Sequence, residues 1–366
     1  MSKLFTPLTI GPMTVANRIV VSPMCQYSAV DGCATDWHQF HVPSLALSGA
    51  GLVILEATAV ERLGRITHGC LGLYSDDNER ALDRVVKSAR AFAPKSLRLG
   101  IQIAHAGRKA SSQRPWEGGG ALRPDQDPWQ TFAPSAIPFD DGYPAPAALA
   151  DADLERIRDA FVQAARRAAR IGFDLVELHM AHGYLLHSFV SPIANRREDR
   201  WGGDLVGRMA FPLEVARAVR AAVPGIALSA RITGSDWSDA GLTPDDAVAA
   251  ATMLKGVGLD AVVVSSGGIT PKIRVGVGPN YQVPFAARVK RETGILTQAV
   301  GMIVDPLEAE AILERGEADQ IALARAVLDD PRWGLHAAEK LGVEAERPVQ
   351  YVRVAPKHWP GAALKR

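Results

Sequence analysis

The chain has 366 residues, 47% of them apolar, and its 41 Lys and Arg nearly balance 40 Asp and Glu for a formal net charge of +1. That is ample material for a core, and it excludes a basic nucleic-acid-binding protein or one drawn to an anionic membrane surface. The segment from Met1 to Val15 lacks a charged stretch followed by an apolar run, and no stretch is long enough to span a bilayer, so a cytoplasmic protein is expected.

Cys25, Cys33 and Cys70 are isolated thiols without a Cys-x-x-Cys pair, which argues against a disulfide framework, a structural zinc or an iron–sulfur cluster.

In chain order, short β-type runs are expected at 18–23, 51–57, 97–105, 174–180, 226–232, 261–266, 295–300 and 320–325. Most are too apolar to have a wet face, as in a parallel sheet covered by helices. Helical periodicity is expected between them at about 37–48, 77–93, 151–171, 205–223, 243–256, 281–293, 305–315 and 331–341. Asp151, Thr243 and Asp305 stand where helix caps belong.

Eight strand–helix units predict an α/β fold, a single (β/α)8 TIM barrel in one domain over 1–366. After strand three the stretch 106–150, rich in Gly, Pro, Trp and Asp, is too long for an ordinary βα loop and reads as a functional excursion over the barrel mouth. A second irregular stretch, 191–203, carries four arginines and Trp201.

Barrel chemistry sits where strands end. Those positions hold Ser22, Pro23, Met24, Cys25 and Tyr27, then Ala57, then Gln102 and His105. Later strands add His179, His182 and Tyr184, then Arg231, Ser265, Gly301 with Met302, and Ala324 with Arg325. Carboxylates are too few for a paired-acid hydrolase or a hard-cation site.

Two imidazoles and a phenol at the end of strand four offer two neutral donors and one weak acid to a small polar group. His-x-x-His alone usually means two packed histidines, and that bland reading is preferred for His38 and His41 within a helix. The strand-end position before Gly183-Tyr184 favours function for His179 and His182. Zinc lacks a completing acid or thiol there. Glycine and small residues after strands seven and eight suit a phosphate, with Arg231 and Arg325 adding charge. Taken alone, such glycines are more often plain turns.

Ser22-Pro23-Met24-Cys25-Gln26-Tyr27, Gln102-Ile103-Ala104-His105-Ala106-Gly107-Arg108, His179-Met180-Ala181-His182-Gly183-Tyr184-Leu185, Ser191-Pro192-Ile193-Ala194-Asn195 and Gly202-Gly203 together resemble the old yellow enzymes. The Cys25/Tyr27 pair and Gln350-Tyr351-Val352-Arg353 resemble its bacterial subgroup of xenobiotic reductase A-like and thermophilic-like members. Gly207 stands where that family usually has Asn, and Ala324 where it usually has Gly.

The resemblance implies FMN over the barrel mouth, NADPH or NADH as reductant, and an α,β-unsaturated small-molecule substrate activated by a carbonyl or nitro group. It implies a hydride from the flavin to the β-carbon, His179 and His182 on the activating oxygen, and Tyr184 protonating the α-carbon. Arg231 then faces the flavin N1 and C2 oxygen, Gln102 its pyrimidine edge, and Ala57 with Pro23 and Met24 its ring. Cys25 adjusts the flavin potential, and Tyr27 helps hold the substrate.

A homodimer or homotetramer follows from the same resemblance, with the tail 345–366 at a subunit interface and Arg353 and Trp359 reaching a neighbour's site. Two other classes stay open: a flavin-free barrel lyase or aldolase on a phosphorylated substrate, for which no strand ends in a Schiff-base lysine, and a barrel that only binds.

Overall fold

The computed structural model of the protein describes residues 2–364; Met1 and the last two positions of the expected tail, 365 and 366, lie outside the described residues. Eight parallel strands, β1 (Ile19–Val21), β2 (Leu52–Ala59), β3 (Arg98–Ala104), β4 (Leu175–Met180), β5 (Ala227–Thr233), β6 (Ala261–Ser265), β7 (Leu296–Ala299) and β8 (Gln320–Leu323), close into a barrel in sequence order. The helices between them are α1 (Asp36–Ala46), α2 (Asp76–Phe92), α3 (Asp151–Ile171), α4 (Leu205–Ala222), α5 (Pro244–Gly256), α6 (Val283–Thr293), α7 (Pro306–Glu314) and α8 (Trp333–Lys340). The expected TIM barrel is therefore present.

Alternation along each strand sorts side chains into two cores. Outward residues such as Val176 and Leu178 join Phe161, Val215 and other helix residues in the main cluster. Inward residues Val20, Leu52, Ile54, Leu175, Ala227, Ala261, Val263 and Ala322 fill the lower barrel, where Ile10, Met13 and Val15 close it from below. Those three belong to an antiparallel hairpin, Leu8–Ile10 with Met13–Val15, which was not expected; its strands are only 3 residues each, too short for a periodic signal.

Boundaries differ where specific chemistry intervenes. β1 stops before Pro23, which has no N–H for the ladder. β2 runs on to Ala59, through a register shift between Leu55 and Thr58 that bends it beside Ala57. α6 opens at Val283 rather than 281, because Gln282 turns inward to accept hydrogen bonds from Ser265 and Ser266.

The stretch 106–150 contains three short 3₁₀ turns and a two-stranded ribbon, Phe132–Ala133 with Ala147–Ala148. Short helices at Leu185–Val190 and Arg325–Asp329 extend the βα loops. Among the described residues no helix is long and apolar enough to cross a membrane.

Candidate active site

The upper barrel interior is polar where the lower is hydrocarbon. Glu177 lies opposite Gln102 on β3 and Ser229 on β5, and one layer higher His179 lies opposite Arg231. Gln102 Nε2 donates to Glu177 Oε1 at 2.7 Å, which leaves the Gln102 carbonyl as its unengaged end. Glu177 is fully buried, and burial raises its carboxyl to about 7 against the lowering pull of Arg231. Glu177 answers why a guanidinium can emerge from a strand interior: it is the negative group that acts most strongly on Arg231. Its role was not read from sequence, although its period-2 spacing with His179 was the available signal.

His179 and His182 meet edge to face with ring centres 5.2 Å apart, and Tyr184 lies 4.8 Å from His179 in the same manner. The three expected groups thus converge. Ala181 N–H donates to His179 Nδ1 at 3.3 Å, which places the His179 proton on Nε2 as a donor. Burial and the nearby Arg231 push both imidazoles well below their ordinary pKa, so both are neutral at physiological pH. Burial pushes the Tyr184 phenol well up, so it keeps its proton until something takes it.

Ser265 ties the imidazole to the guanidinium. Its hydroxyl lies 2.7 Å from His182 Nε2, accepts from Arg231 Nη2 at 3.4 Å, and donates to Gln282 Oε1 at 3.1 Å. Lys109, from the excursion, was missed. Its ammonium donates to the His182 carbonyl at 2.8 Å and lies 4.9 Å above the Tyr184 ring. Burial lowers Lys109 to about 8.

Across the mouth, the 22–27 segment turns at Tyr27, whose φ is +52°. Burial raises both the Cys25 thiol and the Tyr27 phenol well above their ordinary values, so Cys25 is protonated and a poor nucleophile. Glu56 holds this segment by accepting from Gln26 N–H at 2.9 Å, and lies 3.3 Å from buried His38. His38 packs at the start of α1 with Nδ1 accepting from Thr35 N–H, the packing and helix-end role expected for it.

Gly301 (φ +125°) and Met302 (φ +52°) turn sharply after β7; Met302 and Arg325 are exposed, and Ala324 caps the short Arg325–Asp329 helix. Arg353 lies in a 3₁₀ turn of the C-terminal tail, Val349–Val354, and Trp359 just before a second one, Pro360–Leu364. Their segment is anchored by Tyr351 against Arg332, and the preceding residues by Arg347 to Glu339 and Glu346 to Ser96, at the barrel's lower end.

These residues fit a flavin on two counts. Arg231 Nε and Ser22 Oγ are buried polar atoms with no protein partner, and both belong to positions expected to border the ring. The nearby wall is apolar and small at Ala57, which suits a flat ring.

The sequence profile of the NADH:flavin oxidoreductase / NADH oxidase family matches residues 3–344. The NADPH dehydrogenase of Geobacillus thermodenitrificans (strain NG80-2) is 43% identical over 352 residues, 96% of this chain and 98% of that one. That of Bacillus subtilis (strain 168) is 40% identical over 353 residues, again 96% and 98%. The solved structure of morphinone reductase superposes with a TM-score of 0.76 at 26% identity, covering 95% of this chain and 91% of that one. The chain belongs to the NADH:flavin oxidoreductase / NADH oxidase family, that of the old yellow enzymes, and is an FMN-dependent oxidoreductase.

Proposed function

We propose that the protein is an NAD(P)H-dependent ene-reductase for C=C bonds activated by a carbonyl or nitro group. NADPH is taken as the reductant because the similar dehydrogenases are named for it. When bound, FMN supplies the hydride chemistry, from the nicotinamide and on to the β-carbon.

The observation that carries the reading is the convergence of two neutral imidazoles and a protonated phenol at the end of β4. His179, with its proton on Nε2, donates to the activating oxygen, where negative charge grows as hydride arrives, and His182 donates to the same oxygen from Nδ1 when Ser265 turns its hydroxyl proton from Gln282 to His182 Nε2. Neutral donors serve there without the cost of burying a second positive charge beside Arg231. Tyr184 supplies the proton to the α-carbon.

Arg231, whose Nε is buried without a partner, would hold the N1 and C2 oxygen edge of the ring and offset negative charge that gathers there. The free carbonyl of Gln102 faces the pyrimidine edge, and Ser22, Pro23, Met24 and Ala57 form the ring's bed. Cys25, as a thiol, adjusts the potential, and Tyr27 helps hold the substrate. Ser265, Gly301, Met302, Ala324 and Arg325 border the ribityl chain and phosphate. Arg353 and Trp359, in the C-terminal tail, reach a neighbour's site in a homodimer or homotetramer. The exposed Val349, Tyr351, Val352 and Val354 around them supply the apolar contact such an assembly needs.

The test is spectroscopic. Purified protein should be yellow, bleach on adding NADPH, and recover its colour anaerobically with cyclohexenone, maleimide or a nitroalkene. Colourless protein that cannot be reconstituted with FMN excludes the reading, and bleaching without recovery by any activated alkene removes the ene-reductase part. A flavin-free aldolase would in addition need a lysine ending a strand at the mouth. Lys109, the mouth's lysine, is tied to two carbonyls instead, those of His182 and Gly268.

A further inference from the structure

The peptide bond joining His182 to Gly183 is gripped on both edges. Its carbonyl accepts from Lys109 Nζ at 2.8 Å, and its N–H donates to His187 Nδ1 at 2.7 Å. His187 is fully buried and lies on the short Leu185–Val190 helix, away from the group of rings that faces the mouth.

Its other nitrogen, Nε2, lies 3.1 Å from Asp236 Oδ1, a close buried pair whose two atoms have no hydrogen-bond partner elsewhere and are not aligned for a hydrogen bond with each other. The second oxygen of Asp236 is saturated, accepting from Ser191 Oγ at 2.7 Å and Leu242 N–H at 2.9 Å. Since Nδ1 is an acceptor, the single imidazole proton sits on Nε2, the nitrogen beside the carboxylate.

This peptide controls the directions in which the flanking rings leave the backbone. His182 (φ +59°) and Gly183 (φ +78°) are both left-handed, and for His182 that conformation is costly and must be imposed. The same device recurs one strand earlier. Left-handed Gly107 donates its N–H to His105 Nδ1 at 3.0 Å, and His105 Nε2 lies 2.9 Å from Glu61 Oε1.

We propose that Asp236 and His187 are positioning residues that, with Lys109 opposite, lock the 182–183 peptide so that His182 and Tyr184 address one point. This rests on the ene-reductase reading. His187 and Asp236 are fully buried beneath the turn and act through Gly183.

The test uses the FMN-loaded full chain and 4-hydroxybenzaldehyde, followed by its long-wavelength charge-transfer absorption. His187→Leu removes the acceptor for Gly183 and should weaken the phenol at least tenfold, with KM for cyclohexenone rising more than kcat falls. Flavin content and flavin absorption should stay as in the parent. His187→Asn, whose Oδ1 can take the place of Nδ1, should restore affinity to within about threefold, a recovery that a general packing role would not produce.

Unchanged affinity in His187→Leu, or an Asn variant as poor as the Leu one, overturns the proposal. If His187→Leu does not fold, Lys109→Met releases the other edge of the same peptide: a comparable loss of affinity supports the lock, and unchanged affinity overturns it. Failure of the parent to take FMN or show the phenol band would instead strike the functional reading.

Discussion

Tyr184 is a weak acid made weaker by burial, which suits a group that must stay protonated until a carbanion-like carbon appears beside it. Lys109 sits 4.9 Å over its ring, where a cation would steady the phenolate left behind if Tyr184 gives up its proton as proposed. Tyr184→Phe should slow alkene reduction by about 10²- to 10⁴-fold, the usual range for a positioned acid. Reduction of the flavin by NADPH needs no such proton and should be spared. Stopped-flow measurement of the two half-reactions separates them, and an unchanged alkene half-reaction removes Tyr184 as the acid. Lys109→Met should act in the same direction but more weakly, by roughly fivefold, as expected for loss of about 1 kcal/mol of cation–π stabilisation.

At the scale of elements, the turn after β4 depends on two backbones approaching with no side chain between them. A Cβ on Gly183 would fall 2.3 Å from the Gly268 carbonyl oxygen, in the loop after β6, and Gly183 has φ +78°. Gly203 has a similar φ of +74° with nothing within 4 Å of its would-be Cβ. Gly203→Ala should therefore cost only the conformational term, about 1 kcal/mol, whereas Gly183→Ala should cost about 2–4 kcal/mol because a backbone must also move. Urea unfolding of the two variants checks this, and equal losses would show that the β4–β6 contact is not tight.

The legibility of the site divides along the same line. Strand periodicity and the close spacing of His179, His182 and Tyr184 are local signals, and they placed the barrel and the three rings that converge at the end of β4. Lys109 lies in a stretch with no period, Asp236 in a loop 49 positions past His187, and the floor hairpin pairs Leu8–Ile10 with Met13–Val15 under strands far along the chain. Their partners exist only once the barrel closes. His187 alone had a local hint, as a third imidazole in the same short stretch.

Over the whole molecule, the barrel is a hydrocarbon cylinder below and a polar one above, and Glu177 sits where the two meet. Folding takes this carboxyl from water into a site where burial outweighs the attraction of Arg231, raising it from an ordinary 4.5 to about 7. The folded pKa lies above the unfolded one, so between those values the native state binds more protons than the unfolded state. Stability from this group is complete below about 4.5 and fades as pH rises through 7, by on the order of 3 kcal/mol for a shift of this size. Replacing Glu177 by Gln keeps the shape and a carbonyl for the Gln102 amide while removing the titration. Thermal or urea unfolding of the flavin-free protein across this range should show the parent losing stability, relative to Glu177→Gln, as the pH is raised. If the two run parallel, Arg231 holds Glu177 ionised throughout, and the junction of the barrel's halves is a standing ion pair.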